Sequence, residues 1–168
     1  MRQKIINFIL ISLLLFLFYY LIRELSGLDK AYFFCPIEYR QDTVIIRHDS
    51  YGSGDFMAER SGQRRHNGID LQAKIGDPVY AVRGGKVIEA RFHRGMGNYV
   101  ELSHPSGHAT IYGHLSKIAA REGQAVRQGD KIGEVGKTGN ANHRSIIPHL
   151  HFEIRRGNAP LDPMEFLE

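Results

Sequence analysis

Short apolar segments separated by glycine fill the chain from about residue 40 to its C-terminus. Segments such as DPVYAVRGGKVIEARF and NYVELSHPSGHATIYGHL each suggest two strands joined by a turn that contains glycine. Apart from a helical turn around residues 117–121, no stretch of this region keeps its apolar residues at helical spacing. The pattern predicts a mainly β domain over residues 41–168, with a compact antiparallel sandwich or barrel.

The N-terminal segment has a different composition. Residues 5–22, IINFILISLLLFLFYYLI, are apolar except for Asn7 and Ser12, and a helix needs roughly 20 such residues to cross a bilayer. Two cations precede this run, whereas the cations that follow it are offset by acidic residues. Because the more positive flank of a membrane helix stays inside the cell, the N-terminus is expected in the cytoplasm. A cleaved signal peptide is the alternative, although no clear small-residue cleavage site follows the run.

These features predict three parts. Residues 1–22 would form a cytoplasmic N-terminus and a transmembrane anchor, residues 23–40 a tether, and residues 41–168 the globular domain. The expected location is the inner (cytoplasmic) membrane, which the chain would cross once, with the domain on the periplasmic side.

Charge and cysteine content exclude several classes. The net charge of +4 is spread along the chain without a basic stripe, so a nucleic-acid partner is not expected. This mild positive charge remains compatible with an anionic polymer such as a cell-wall glycan. Cys35 is the only cysteine, which rules out an intrachain disulfide.

The segment HLHFEI places two histidines on one face of a predicted strand. Side chains alternate between the faces of a strand, so one face would point to the core and carry Leu150, Phe152 and Ile154. The opposite face would carry His149, His151 and Glu153. Two imidazoles at this spacing provide adjacent nitrogen donors that suit a metal. Glu153 could orient one imidazole or simply face solvent.

Two further segments present similar groups. In HNGID, extended backbone would put His66, Gly68 and Asp70 on one face, and the glycine would admit a close approach by a ligand or another strand. In HATIYGHL, the same alternation groups His108, Thr110, Tyr112 and His114. Three segments with histidine or aspartate on a strand face predict one shared site, and a catalytic zinc takes three protein ligands and leaves a position open.

At these residues the sequence resembles the lysostaphin-type (LytM-like) zinc metallopeptidases, which cut peptide cross-links in bacterial peptidoglycan. The resemblance rests on HNGID, YGHL and HLHFE together with GDPVYAVRGGKVIEA, GNYVELSHPSGHATIYGHLS and PLDPMEFL, and it covers roughly residues 50–168. It implies a compact antiparallel β-sheet fold with a groove, of the kind called the duplicated hybrid motif. The stretch NANHRSII before His149 is longer than the corresponding link in the family, and it is expected to border the groove.

The resemblance also implies roles for individual residues. The zinc ligands would be His66, Asp70 and His151, with one zinc per chain, and the catalytic pair would be His114 and His149. The implied function is endopeptidase hydrolysis of peptidoglycan stem peptides by metal-activated water. Which histidine is the general base stays open. Arg60 could line the groove, whereas a structural role is expected for His104 and none for His48, His93, His108 and His143.

Two other classes of protein are alternatives. A non-catalytic module that binds peptidoglycan or activates other wall hydrolases would have lost ligand or catalytic residues, yet all five positions are present. Segments such as GQAVRQGDKIGEVG also resemble lipoyl or biotinyl carrier domains, but no methionine–lysine pair offers a modifiable lysine at a hairpin tip. A phosphocarrier of this kind would act in the cytoplasm, which conflicts with the predicted anchor.

Overall fold

The structure, a computed structural model, describes residue 7 and residues 10–20, 33–38 and 44–167. Short antiparallel strands account for nearly all regular structure after residue 44. In chain order they are β1 (His48–Asp49), β2 (Gly52–Ser53), β3 (Glu59–Arg60), β4 (Arg64–Arg65), β5 (Ile69–Gln72), β6 (Pro78–Tyr80), β7 (Gly85–His93), β8 (Gly97–Ser103), β9 (His108–Leu115), β10 (Lys117–Ile118), β11 (Ala125–Val126), β12 (Lys131–Glu134), β13 (His149–Arg156) and β14 (Ala159–Leu161). Three single turns of 3-10 helix accompany them, at Ser61–Gln63, Gly139–Ala141 and Pro163–Glu165.

The main sheet has the strand order β11-β7-β8-β9-β13-β14, and β5 pairs with the first half of β13. A smaller sheet, β10-β12-β6, packs beside it, and β1-β2 and β3-β4 form two short hairpins. Every pairing between these strands is antiparallel. The prediction of a mainly β domain with antiparallel sheets is therefore confirmed.

The core lies between the two sheets. Leu150, Phe152 and Ile154 of β13 are fully buried, as alternation predicted, and they face buried side chains of the smaller sheet such as Val79 and Ile132. Burying such a side chain contributes about 1.5–3 kcal/mol to folding. Since its apolar face is held in this core, β13 presents its other face to the groove at a fixed angle.

The N-terminal region is described only in part. Residues 10–20 are helical with exposed apolar side chains, and among the described residues no helix is long and apolar enough to cross a membrane. The rest of the predicted anchor, and most of the predicted tether at 23–40, lies outside the described residues.

Part of the predicted tether does belong to the core. Phe33, Cys35 and Ile37 are buried, and Ile37 forms a bridge with Val79 of β6. The apolar residues of this segment extend the smaller sheet, so residues 33–38 pack with the domain rather than standing apart from it. Burial also raises the pKa of the Cys35 thiol above its ordinary value.

Candidate metal centre

Three donor atoms meet at the floor of a groove. His151 Nδ1 lies 3.0 Å from His66 Nε2 and 2.9 Å from Asp70 Oδ1, and the last two atoms are 3.1 Å apart. Ligands bound 2.0–2.1 Å from a tetrahedral zinc lie roughly 3.3 Å from one another, so this triangle fits such an ion. All three side chains are buried.

Strand register produces this convergence. His151 on β13 is paired with Asp70 on β5, which places both side chains on the groove face of the sheet. His66 precedes β5 and reaches the same point because Gly68 allows the chain to cross β13 closely. A Cβ atom at Gly68 would collide with the carbonyl of Phe152, so the predicted close approach at this glycine is confirmed.

A hydrogen bond fixes the tautomer of each histidine in the triangle. His66 Nδ1 donates to the Asp55 carbonyl at 2.8 Å, and this leaves Nε2 as the electron-pair donor. His151 Nε2 donates to Glu153 Oε1 at 2.8 Å, and this leaves Nδ1 directed at the triangle. Such partners orient metal-binding imidazoles and increase their basicity. The orienting role considered for Glu153 from sequence therefore agrees with its contact.

The electrostatics of the triangle favour a cation. Burial alone would raise the pKa of Asp70, but hydrogen bonds and charge from His151 and His66 hold that pKa well below its usual range. Burial alone would lower the pKa of His151, but Asp70 and Glu153 raise it to about 9. The two carboxylates thus create a negative potential at the imidazole, and the same potential attracts a metal ion.

Two more histidines stand beside the triangle. The His114 ring centroid lies 5.0 Å from that of His149 and 5.7 Å from that of His151. His149 Nδ1 donates to the Ile147 carbonyl at 2.7 Å, and His114 Nδ1 donates to the Thr138 carbonyl at 3.0 Å. In both rings Nε2 is therefore left with its electron pair, and in His149 this atom lies 3.9 Å from Asp70 Oδ1.

Burial also keeps this pair neutral. It lowers the pKa of His114 to about 3, with the neighbouring charge of His151 and His149 acting in the same direction. Burial likewise lowers the pKa of His149, although Asp70 opposes the shift. Two neutral imidazoles at neutral pH are able to accept a proton or a hydrogen bond through Nε2.

His114 reaches the groove in a way that alternation does not predict. Register places Tyr112 beside Phe152 on the core face of the sheet, where Tyr112 is fully buried, and strict alternation would put His114 on that face too. Instead His114 has a left-handed backbone with φ 61°, and its amide donates to the Met96 carbonyl at 2.7 Å. The predicted shared face of His108, Thr110, Tyr112 and His114 is therefore wrong for His114, because its backbone reverses the direction of the side chain.

The groove has a volume of about 380 Å³. Beyond the five histidine and aspartate positions, its walls are formed by Arg47, Tyr51, Glu59, Arg60, Arg64, Met96, Asn140, Ala141 and Ile146. Arg60 lines the groove as anticipated, and so does the long stretch before His149. Sequence reasoning missed Arg47, although the pair of Arg47 and Asp49 just after an apolar segment was the available signal.

The other histidines lie elsewhere. His48, His93 and His143 are exposed, and His143 Nε2 lies 3.1 Å from the Tyr51 hydroxyl at the rim of the groove. His104 and His108 are buried but do not line the groove.

An antiparallel β domain that sets a His–Asp–His triangle beside two further histidines has the arrangement of the metallopeptidase class that the sequence resembles. The family model of peptidase family M23 matches residues 64–163. The chain belongs to this family, so the resemblance seen in the sequence is confirmed. The predicted cofactor, zinc, is confirmed by the family together with the donor set.

Similar proteins agree with this assignment. The chain is 46% identical over 100 residues to the peptidoglycan DD-endopeptidase ShyB of Vibrio cholerae. These 100 residues make up 60% of this chain and 22% of that protein. A zinc-containing peptidase from Vibrio cholerae has a similar fold, with a TM-score of 0.64 and 36% identity over 81% of this chain and 40% of the other. The catalytic domain of lysostaphin from Staphylococcus simulans has a TM-score of 0.57 and 35% identity. That match covers 70% of this chain and 90% of the lysostaphin domain. The chain thus spans about a fifth of the length of ShyB.

Proposed function

We propose that this protein is a zinc-dependent endopeptidase that hydrolyses peptide cross-links of bacterial peptidoglycan. The observation that carries the proposal is the donor triangle of His66, Asp70 and His151 beside two neutral histidines whose Nε2 atoms carry an electron pair. A site that only binds a structural metal would have no use for two such imidazoles, since structural zinc takes four protein ligands and stays closed. The relatives named as peptidoglycan endopeptidases support the choice of substrate.

In this proposal His66 Nε2, Asp70 Oδ1 and His151 Nδ1 would hold the zinc. The chemistry that zinc supplies when bound is Lewis-acid activation, which polarises a scissile carbonyl and lowers the pKa of water toward about 7. Hydrogen bonds to Asp55 and Glu153 hold the two imidazoles so that their ligand nitrogens are directed at one point. These residues therefore bind and orient, and proton handling falls to other groups.

His114 and His149 form the proposed catalytic pair. Each has Nδ1–H held by a backbone carbonyl, so its Nε2 can take a proton from the attacking water or hydrogen-bond to the substrate. One imidazole would accept the proton of water at Nε2 and, as the imidazolium, would pass that proton to the leaving amine, while the other would accept a hydrogen bond at its Nε2. Their rings lie at 77° to one another, which lets them approach a substrate from two sides.

The test is digestion of purified peptidoglycan by the full chain in detergent, with mass spectrometry of the released fragments. We expect cross-linked peptides to be cleaved, chelation to stop cleavage, and zinc to restore it. His151→Ala should abolish hydrolysis, whereas His48→Ala, an exposed position outside the groove, should keep it. Full hydrolysis by His151→Ala would refute the proposal of zinc-dependent hydrolysis at this site. If wild type binds peptidoglycan without cleaving it, the non-catalytic module is favoured.

We further propose that residues 5–22 anchor the chain in the inner membrane, with the domain on the periplasmic side. The apolar run and the cations before it support this, as do the exposed apolar side chains of residues 10–20, which need a non-aqueous environment. Alkaline phosphatase fused to the C-terminus should be active in a bacterial host, and carbonate washing should leave the chain in the membrane fraction. Inactive fusions, or release of the chain by carbonate, would contradict the anchor.

A further inference from the structure

A buried arginine lies behind the metal-binding triangle. Arg47 is 4% exposed, and its guanidinium donates to Asp70 Oδ2 at 2.9 Å, on the opposite side of the carboxylate from the triangle. Arg60 contacts the same oxygen at 3.2 Å. Because both cations hold Oδ2, the carboxylate is fixed with Oδ1 toward His66 and His151.

The same arginine also contacts a second carboxylate. Arg47 Nη1 lies 2.6 Å from Asp49 Oδ2, and both side chains are almost completely buried. That oxygen also accepts a hydrogen bond from the Ile147 amide at 3.0 Å. The Ile147 carbonyl is the group that accepts the Nδ1 hydrogen of His149 at 2.7 Å. A short chain of contacts thus runs from Asp70 through Arg47, Asp49 and Ile147 to His149.

The backbone around Arg47 is fixed equally firmly. The Arg47 amide donates to the Asp70 carbonyl at 2.8 Å, and the Gly54 amide donates to the Arg47 carbonyl at 2.7 Å. A Cβ atom at Gly54 would lie 2.8 Å from both the Arg47 carbonyl oxygen and Asp70 Cβ, so no side chain fits between them. This segment precedes residue 64, where the match to the family begins.

We propose that the Arg47–Asp49 pair is a positioning device that sets the orientation of Asp70 and of His149 together. The inference rests on the proposed function, because it concerns a metal ligand and a catalytic histidine of that site. Both residues act through others, Arg47 through Asp70 and Asp49 through Ile147, so they are positioning residues.

The cost of burying these charges supports the proposal. A buried ion pair gains little stability over a well-packed apolar pair, because desolvation offsets most of the attraction. Arg47 even leaves both Nε and Nη1 without a hydrogen bond among the described residues, so Nη1 meets Asp49 as an ion pair. What the pair does provide is position, because one planar guanidinium donates to Asp70 through Nη2 and pairs with Asp49 through Nη1. The structure places one of those carboxylates in the donor triangle and the other against the loop that holds His149.

The experiment compares Arg47→Met and Asp49→Ala in the full chain, with Arg156→Met as the matched control. Arg156 also hydrogen-bonds a buried side chain, His108, but lies at the far end of β13. Three readouts are measured: zinc affinity by competition with a chelator, the tautomer of His149 by nitrogen NMR of the zinc-free protein, and kcat and KM on a cross-linked peptide.

We expect the two variants to differ. Arg47→Met should weaken zinc binding about 10–100-fold, because Asp70 loses a partner that orients it. Asp49→Ala should leave zinc affinity within about 3-fold, lose the Nδ1–H preference of His149, and lower kcat about 10–100-fold with little change in KM. Asp49→Asn retains an oxygen for the Ile147 amide, so it should recover part of that loss.

Other outcomes overturn the proposal. If both variants match Arg156→Met in zinc affinity, tautomer and kcat, the pair has no positioning role. Equal losses in every readout, in step with a loss of thermal stability, would reduce the pair to a structural element. If Arg47→Met does not fold, Arg47→Lys keeps the charge without the two-pronged geometry and should still weaken zinc binding. If wild type does not cleave peptidoglycan, the proposed function fails, while zinc affinity and the His149 tautomer still decide this inference.

Discussion

Two clusters of histidine lie at opposite ends of β9, and they differ in how their ring nitrogens are used. The groove cluster consists of His66, His114, His149 and His151, and the distal cluster consists of His104 and His108. All six side chains are at least nine-tenths buried, so burial does not separate the clusters. The difference lies in their hydrogen bonds.

Both nitrogens of each distal histidine have a partner. His104 contacts the Gly84 carbonyl at 2.9 Å and the Thr110 hydroxyl at 2.8 Å, and His108 contacts Ser106 and Arg156 at 3.0 Å each. In the groove cluster one nitrogen of each ring is tied to a carbonyl or carboxylate, and the other faces the groove or the triangle. A histidine whose two nitrogens both contact groups outside any site holds the fold together. A histidine whose second nitrogen faces the groove or another member of the triangle is positioned to bind a metal or a proton.

The largest expected effect comes from removing a catalytic imidazole. His149→Ala and His114→Ala should each lower kcat by about 10²–10⁴-fold, the usual contribution of a general acid or base, while the zinc content stays at one per chain. Hydrolysis of a cross-linked peptide and elemental analysis measure the two quantities. His108→Gln is the control from the distal cluster and should keep wild-type kcat near neutral pH. If the distal variant loses as much activity as the groove variants, the two clusters do not differ in function as stated.

Alternation along the strands predicted much of the groove cluster. β13 obeys the rule because both of its neighbours pair with it in regular register near the triangle, so His149, His151 and Glu153 share the groove face. The rule failed at β9, where the pairing with β8 shifts between Asn98 and Val100 and His114 takes a left-handed backbone. A positive φ at a non-glycine residue depends on tertiary contacts such as the bond to Met96, and no local pattern encodes it.

Contacts between distant segments were the other part that the sequence did not reveal. Arg47 meets Asp70 across 23 residues, and Asp49 meets Ile147 across 98. Phe33 packs edge-on against His108 at 5.6 Å between ring centroids, although the segment reads as a tether. Periodicity reports which face of an element is apolar, but it carries no information on which remote segment will cover that face.

A smaller effect is expected from the carboxylate that orients His151. Glu153→Ala should weaken zinc binding about 10–100-fold, because His151 Nε2 loses the acceptor that fixes its tautomer. Glu153→Gln retains an oxygen acceptor without the charge, so its loss should be smaller. Competition with a chelator measures both. Thr110→Val removes the corresponding partner of His104 in the distal cluster and should leave zinc affinity unchanged. Equal weakening by Thr110→Val would show that the two clusters are not independent.

The smallest effect is a pH dependence of stability that originates in the distal cluster. Burial, together with the positive charges of Arg156 and Arg83, lowers the pKa of His108 below its ordinary value. The unfolded chain, with a histidine pKa near 6.5, then takes up a proton at a higher pH than the folded chain. The free energy of unfolding should therefore be fully retained above about pH 6.5 and should decrease as the pH falls below it.

His108→Gln removes this titration. Urea unfolding should therefore show that the stability of the variant, relative to wild type, increases as the pH falls below about 6.5. Parallel pH profiles for the two proteins would contradict this prediction. They would mean that His108 takes up its proton at the same pH in the folded and the unfolded chain.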